Sequence, residues 1–416
     1  MNNSHGGVRY PWALLNVLAL ALTTTYFLRI ILAVAAPVLG PEMKLTPQSL
    51  GILLSAVYWT YAFCQIGLGW LVDRYDMRKI YAAALALWSL ATLSIGVTHS
   101  FAVMFVLLLL MGVGESAAIP TAARVLLASF PETRRGVVNS VVDVSGSRVG
   151  PALGALLGGL LIAILGWRHL FQAAGVAALL WIVPWLMLAP RHSASTKKAD
   201  AAGIRWIDLI RRRAVLATCL QGWGGSYVWA FLVTWLPSYL YHERHFSLHR
   251  MAVWSALPHV IMAVTSLSCG VLSDHLIGRG RPGVHTRKTF TAGGLLLIAL
   301  LLPLVLIHRI EWALAGLSLA SVAHGIYGSN VWALTQTLAG RKATGSWAGF
   351  QNAFANTSGI IAPVLTGLIV AHTGRFAWAF IAASTACLIG AASSWFLVHP
   401  SDANLGMNEM ATVSTA

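Results

Sequence analysis

Two charged residues lie inside long apolar runs of this chain. Arg29 interrupts the run "YFLRIILAVAAP" and Glu115 interrupts "GVGESAAIP". A charge inside a bilayer costs several kcal/mol, so each of these residues needs a specific reason to be there. A guanidinium group stays charged and presents a planar fork that matches a carboxylate. A carboxyl group in a low-dielectric environment is able to load and release a proton near neutral pH. Arg29 is therefore a candidate anion clamp and Glu115 a candidate proton site.

Both residues also have a purely structural interpretation. Backbone carbonyl groups near a helix break could satisfy Arg29. Glu115 could be held in a permanent ion pair with Arg124 or Arg148, which also lie within or at the edge of apolar runs. On a helix, Arg29 shares a face with Tyr26 and small residues, opposite a face of larger apolar residues, so we expect its side chain to point into a helix bundle.

The composition is that of a polytopic membrane protein. Of the 416 residues, 57% are hydrophobic and only 10% are charged, which excludes a soluble domain with a polar surface. The formal net charge of +15 is spread among the connections between apolar runs and no basic-aromatic module accompanies it, so nucleic acid is not an expected partner. The four cysteines fall inside predicted helices without metal-ligand spacing, and we expect neither a metal site nor a cofactor.

Apolar runs of about 20 residues, the length that crosses a hydrocarbon core, form two sets of six. This predicts an all-α membrane protein with 12 transmembrane helices in two pseudo-symmetric six-helix bundles, at 1–189 and 214–416, joined by a polar cytoplasmic linker at 190–213. The first run is too long for the core of a signal peptide, so we expect it to remain in the mature protein. The predicted spans are 12–39, 49–72, 80–98, 101–128, 137–164, 168–189, 214–240, 251–273, 289–308, 312–338, 345–371 and 375–398.

The distribution of basic residues predicts the orientation in the membrane. With the N-terminus inside, 19 Lys and Arg residues fall on the cytoplasmic side and 6 on the outer side. We therefore expect a multi-pass protein of the plasma membrane, which in a bacterial cell is the inner membrane, with both termini in the cytoplasm. We expect it to be a monomer in the lipid bilayer.

Two pairs of sequence stretches indicate an internal repeat. "GWLVDRYDMRK" follows the second predicted helix and "GVLSDHLIGRGR" follows the eighth, and both read G-x-x-x-D followed by basic residues. "NSVVDVSG" in the fifth helix and "NAFANTSG" in the eleventh share N-x3-[D/N]-x-S-G. These matches favour duplication of a six-helix unit, and such halves are expected to hold a substrate near the middle of the membrane.

The loop after the second predicted helix resembles the signature loop of the major facilitator superfamily. Further stretches resemble the anion:cation symporters of that superfamily, which include sugar-acid transporters of bacteria and vesicular organic-anion carriers of animals. The resemblance covers nearly all of the chain and implies import or exchange of a small organic acid, usually driven by protons. The stretches are "RIILAVAAP", "GVGESAAIPTAARVLLASFPETRRG", "GWRHLFQAAGVAALLW", "WLPSYL" and "NAFANTSGIIAPVLTGLIV".

The resemblance also implies roles for individual residues. In the signature loop, Asp73, Arg74 and Arg78 would lock the cytoplasmic gate, while Asp76 replaces the usual glycine and would have to tolerate a left-handed turn. Arg29 would bind the substrate anion and Glu115 would carry the coupling proton. For Asn352 and Asn356, hydrogen bonding between helices is the alternative to substrate binding. The other candidate substrate-binding residues are Tyr26, Tyr61, Tyr227, Ser329, Trp332, Asn352 and Asn356, with Ser329, Trp332 and Asn352 facing the hydroxyl end of the substrate.

The chain departs from similar proton-coupled transporters at two charged positions. Leu28 replaces an aspartate and Leu108 replaces an arginine, whereas Asp143 and Arg148 lie in the fifth predicted helix, where small or neutral residues are usual. We expect this pair to replace the lost charges, with Asp143 as a second proton site and Arg148 as a second anion contact. The alternative is a local ion-pair network.

These features predict a secondary active transporter, not an enzyme, which imports a small organic anion such as a sugar acid together with protons by alternating access. One alternative is proton-driven efflux of amphipathic or drug-like compounds, although that activity would favour a net-acidic cavity. Another is an anion exchanger or uniporter without proton coupling, if Leu28 removes a required proton site. A membrane sensor or enzyme is disfavoured because the sequence has no metal-ligand cluster and no nucleophile constellation.

Overall fold

The computed structural model describes residues 11–130, 138, 141–142, 144–189 and 212–402, and these residues form helices and no strands. A π-helical turn at Ser145–Val149 leads directly into α6. The helices of the first half are α1 (Pro11–Glu42), α2 (Pro47–Arg74), α3 (Met77–Ile95), α4 (Phe101–Glu115), α5 (Ala118–Ser129), α6 (Gly150–Leu180) and α7 (Ile182–Leu188).

The second half is also helical throughout its described part. Seven helical segments within the described ranges of the whole chain are long and apolar enough to cross a membrane. The protein is therefore a membrane-spanning, all-α protein. The helices of the second half are α8 (Arg213–Ser238), α9 (Leu248–Gly278), α10 (Gly283–Leu301), α11 (Ile310–Gly328), α12 (Val331–Thr373) and α13 (Ala377–Leu397).

At two places where the sequence predicts a connection between apolar runs, the chain turns at a single glycine. Gly166 in α6 has φ 75° and ψ 159°, and Gly340 in α12 has φ 64° and ψ 177°. Only glycine adopts such values readily, because a Cβ atom clashes there. Each glycine turns the chain between two helical stretches without a loop, so α6 and α12 each span the end of one predicted run and the start of the next.

The predicted run 101–128 is instead divided into α4 and α5 at Ser116 and Ala117. Pro120 explains the division, because proline has no N–H to donate to the carbonyl four residues earlier and its ring clashes with that carbonyl. The helix ends in a narrower turn, in which the N–H of Ala117 donates to the carbonyl oxygen three residues earlier, that of Gly114. Glu115 is consequently the last residue of α4, directly before the break.

Contacts divide the described residues into two units, 11–189 with 246–256 and 212–245 with 257–402. In the first unit α1 packs against α6, α2 against α4, and α3 against α4 and α6. In the second, α8 packs against α12 and α13, and α10 packs against α11 and α13. The predicted linker 190–213 lies outside the described residues except for Arg212 and Arg213.

A row of glycines brings α6 and the preceding π turn close to α1. A Cβ atom at Gly150 would lie 2.7 Å from the Thr23 carbonyl oxygen and 2.8 Å from Tyr26 Cβ. At Gly154 it would lie 2.8 Å from the Phe27 carbonyl oxygen. Small residues allow helix backbones to approach closely in membranes, as the four-residue spacing of these glycines indicates. The row therefore fixes the position of α1, the helix that carries Tyr26 and Arg29.

We predict that Gly150→Ala destabilises the first unit by about 1–3 kcal/mol, because the added methyl group overpacks the contact with α1. Gly293→Ala in α10 is the matched control, since a Cβ atom there meets nothing within 4 Å. Thermal unfolding of both purified variants in detergent checks this prediction. Equal melting temperatures for Gly150→Ala and the wild type would contradict it.

Candidate functional site

Arg29 and Glu115 form a buried ion pair. Arg29 Nε donates a hydrogen bond of 2.6 Å to Glu115 Oε2, and the two side chains are 5% and 0% exposed. Glu115 is thus paired with Arg29, and Arg124 donates instead to the carbonyl oxygen of Val72 at 2.5 Å. The structure brings together the candidate anion clamp and the candidate proton site, which the sequence separates by 86 residues.

Three tyrosine rings surround the guanidinium group of Arg29. Its Cζ atom lies 4.3 Å from the ring centroid of Tyr61, 5.0 Å from that of Tyr26 and 5.3 Å from that of Tyr58. Cation–π attraction of this kind is strongest where the cation is desolvated. Tyr26 and Tyr61 are predicted binding residues, whereas Tyr58 is an addition. Its signal in the sequence is the three-residue spacing from Tyr61, which places both side chains on one face of α2.

Two glycines near the end of α4 position Glu115 within this group. A Cβ atom at Gly112 would lie 2.3 Å from the carbonyl oxygen of Val57 in α2, and one at Gly114 would lie 2.7 Å from the carbonyl oxygen of Ala84 in α3. Thr60 Oγ1 donates a 2.7 Å hydrogen bond to the Leu109 carbonyl oxygen and joins α2 to α4. A carboxylate at a helix C-terminus is unfavourable, so Glu115 depends on Arg29 for its stabilisation.

The ion pair leaves polar atoms of the site unused. It joins one nitrogen to one oxygen, and Glu115 Oε1 is buried without a hydrogen bond. The hydroxyl group of Tyr58 is also buried and donates no hydrogen bond. A buried polar atom without a partner costs about 1–3 kcal/mol. An additional partner that bonded to these atoms would therefore lower the free energy of the site.

The two positions that lack their usual charges are packed apolar positions. Leu28 is 0% exposed and Leu108 is 1% exposed. Asp143, the proposed replacement acid, lies outside the described residues. Arg148 is half-buried in the π turn Ser145–Val149. Its role as a second anion contact stays a prediction, as does the proton role of Asp143.

The backbone of the signature loop at Asp76 differs from the expected left-handed turn. Asp76 has φ −65° and ψ 99°, so it does not adopt a left-handed turn, and that expectation is wrong. Asp76 instead caps the N-terminus of α3, because its Oδ1 atom accepts a 3.1 Å hydrogen bond from the N–H of Arg78. Aspartate is among the favoured residues for such a cap, which explains how the loop accommodates the loss of glycine.

The predicted gate residues have separate surroundings. The Arg78 side chain donates to the carbonyl oxygen of Leu186 in α7, where a cation is favoured by the exposed carbonyl groups of a helix end. Arg74 is exposed, and its Cζ atom lies 4.5 Å from the ring centroid of Trp70. The Asp73 side chain lies outside the described residues. The gating role of the three residues remains a prediction.

In the second unit, Tyr227 is fully buried in α8 and its hydroxyl group makes no hydrogen bond. Ser329 follows α11, where its Oγ atom donates to the Ile326 carbonyl oxygen at 2.7 Å. Trp332 near the start of α12 is 42% exposed. Asn352 and Asn356 lie half-buried, one turn apart, on α12. Their contact with a substrate stays a prediction.

The sequence profile described as Major Facilitator Superfamily matches residues 18–363. The chain belongs to the major facilitator superfamily. A solved member described as a bacterial homolog of the human lysosomal transporter Spinster, in an inward-facing and occupied conformation, superposes with a TM-score of 0.79. The match covers 94% of this chain and 97% of that one at 16% sequence identity, which shows a shared fold.

Curated relatives in this superfamily carry organic anions according to their names. A probable sulfoacetate transporter of Cupriavidus necator is 30% identical over 92% of this chain and 93% of its own length. A hexuronate transporter of Bacillus subtilis is 28% identical over 88% of this chain and 89% of its own. A probable galactarate/D-glucarate transporter of Escherichia coli is 26% identical over 94% of this chain and 95% of its own. This superfamily member is therefore a transporter and not an enzyme.

We predict strong coupling between Arg29 and Glu115 in a double-mutant cycle. Arg29→Met or Glu115→Leu alone should cost about 3–5 kcal/mol, because each leaves an unpaired charge in the interior. The double variant should lose far less stability than the sum of the single variants. Thermal unfolding of the four purified proteins in detergent measures this coupling.

The control cycle uses Glu42 and Arg168, which form an ion pair of 3.0 Å with side chains 43% and 20% exposed. The same substitutions there should show a coupling of at most about 1 kcal/mol, because water screens partly exposed pairs. Additive losses of stability at Arg29 and Glu115 would contradict the buried ion pair.

Proposed function

We propose that this transporter imports a small organic anion together with a proton by alternating access. The observation that carries the proposal is the buried ion pair between Arg29 and Glu115. The names of the curated relatives support an organic acid as the substrate, since sulfoacetate, hexuronates and galactarate all carry a carboxylate group. The proposed frame is the twelve-helix, two-bundle arrangement, in the plasma membrane with both termini in the cytoplasm.

The ion pair makes binding of the anion depend on the proton. While Glu115 is ionised, its carboxylate occupies Arg29, and a second anion beside it would meet strong repulsion in a low-dielectric interior. Protonation removes the charge of Glu115 and leaves the guanidinium group available for the carboxylate of the substrate. Linkage requires the reverse as well, so an anion bound to Arg29 must favour the protonated form of Glu115.

This reciprocity supplies a transport cycle. In the outward-facing state Glu115 takes a proton and Arg29 takes the anion, so the loaded site holds no unpaired interior charge if the substrate group carries one negative charge. After the change of access, loss of the proton and the anion to the cytoplasm allows Arg29 and Glu115 to pair again. The ion pair then permits the empty carrier to return without a bare charge in its interior.

The described site contains one acid and one base, because Leu28 and Leu108 are buried apolar residues. We therefore expect one proton per anion, unless Asp143 adds a second proton site. A monocarboxylate would cross with no net charge, whereas a dianion such as sulfoacetate would carry one net negative charge. An exchanger without proton coupling is the second candidate function, and the observation that favours it is the absence of an acid at position 28.

Uptake into proteoliposomes tests the proposed function. Sulfoacetate, D-galacturonate and D-glucarate are supplied outside, with and without an inward proton gradient. We expect the gradient to drive accumulation of at least one acid by the wild type. Arg29→Lys should reduce its uptake by about tenfold or more, because lysine keeps the charge but lacks the planar fork. Glu115→Gln should abolish accumulation but retain exchange, because glutamine imitates a protonated glutamate that cannot release its proton.

Glu42→Gln is the control, since Glu42 lies outside the Arg29–Glu115 pair and accepts hydrogen bonds from Trp167 and Arg168. It should leave proton-driven accumulation intact. Accumulation that persists in Glu115→Gln would contradict the assignment of the proton site. Exchange by the wild type that ignores the gradient would favour the exchanger.

A further inference from the structure

Tyr58 carries a hydroxyl group that the paired state of the site does not use. The residue is 4% exposed, its ring centroid lies 5.3 Å from Arg29 Cζ, and its hydroxyl group donates no hydrogen bond. Polar side chains beside it on α2 are satisfied: Trp59 Nε1 donates to Ser55 Oγ at 2.9 Å, and Thr60 Oγ1 donates to the Leu109 carbonyl oxygen. The hydroxyl group of Tyr58 thus differs from these two neighbours on α2 in having no acceptor.

The neighbours of this hydroxyl group limit what can accept its proton. Arg29 has five N–H donors and no acceptor, so it cannot serve. Glu115 Oε1 is an acceptor without a partner in the same group of side chains, yet Tyr58 does not bond to it. If the hydroxyl group served to hold the ionised carboxylate of Glu115, the bond would be made in this state, where the hydroxyl proton has no acceptor and Glu115 Oε1 has no donor. The missing acceptor therefore belongs to a different state of the site.

We propose that Tyr58 is a substrate-binding residue, whose hydroxyl group donates a hydrogen bond to the carboxylate or sulfonate of the bound anion while Arg29 holds that group. This inference rests on the proposed function, because the anion on Arg29 is the acceptor. An oxygen of the anion fits the requirement, since it arrives at the guanidinium group that the Tyr58 ring faces. The paired state then leaves Tyr58 unsatisfied, and loading satisfies it.

The arrangement assigns different tasks to the tyrosines around Arg29. A ring alone is enough for cation–π contact, so phenylalanine could replace a tyrosine that serves only Arg29. Tyr58 needs its hydroxyl group as well. Hydrogen bonds to charged groups are stronger than those between neutral groups, so the hydroxyl group should contribute measurably to anion affinity.

Tyr58→Phe tests the inference, because it removes the hydroxyl group and keeps the ring beside Arg29. Binding of sulfoacetate and of D-glucarate to the purified full-length protein in detergent is measured by calorimetry from pH 5.5 to 7.5. We expect the dissociation constant of the acid that binds the wild type to rise by about tenfold or more in Tyr58→Phe. The pH at which binding is half-maximal and the melting temperature without ligand should stay at the wild-type values. Tyr75→Phe makes the same chemical change at a 61% exposed tyrosine and should bind like the wild type.

Three results would overturn the inference. Equal dissociation constants for Tyr58→Phe and the wild type would show that the hydroxyl group does not contact the anion. A lower melting temperature with unchanged affinity would show that the hydroxyl group contributes to folding. A changed pH of half-maximal binding, with unchanged affinity at pH 5.5, would show that it acts on the protonation of Glu115. If the wild type binds neither acid, the proposed function fails together with the inference, whereas binding by the wild type that is unaffected by Tyr58→Phe removes the inference alone.

Discussion

The high cost of placing a charge in an apolar interior is the constraint on which the rest of this structure depends. Desolvating Arg29 or Glu115 alone costs several kcal/mol, and each offsets that cost chiefly through the other. The helices that carry them, α1 and α4, must therefore be held in fixed positions. Gly150 and Gly154 hold α1 against α6, while Gly112 and Gly114 hold α4 against α2 and α3. The glycines of the membrane helices are thus part of the site, although none of them needs to touch a substrate.

The same ion pair connects stability with transport. A pair that were satisfied at every atom would resist opening, but this one joins a single nitrogen to a single oxygen and leaves Glu115 Oε1 and the Tyr58 hydroxyl group unsatisfied. In the proposed cycle, a proton on Glu115 and an anion on Arg29 together replace the pair with an arrangement that contains more hydrogen bonds. Two states of similar free energy are what an alternating-access carrier needs, because a strongly favoured state would trap it.

Particular residues show how far the sequence predicts this site. Arg29 and Glu115 are recognisable because a charge in an apolar run is rare, and the glycine row is recognisable by its spacing. Their direct pairing is not predictable, because the sequence offers Arg124 and Arg148 as equally plausible partners for Glu115. The cap formed by Asp76 and the turns at Gly166 and Gly340 depend on local backbone angles, which composition does not fix. The buried hydroxyl group of Tyr58 lacks an acceptor, and this feature is visible only in three dimensions.

If an anion binds Arg29 only when Glu115 takes up a proton, binding must be accompanied by proton uptake, which can be measured. Calorimetric titration of the purified protein with an acid that it binds, repeated in buffers of different ionisation enthalpy near neutral pH, gives the number of protons taken up per anion. We expect close to one proton for the wild type and none for Glu115→Gln, with binding retained. Tight binding to the wild type without proton uptake would rule out this coupling, because the anion would then share Arg29 with an ionised Glu115.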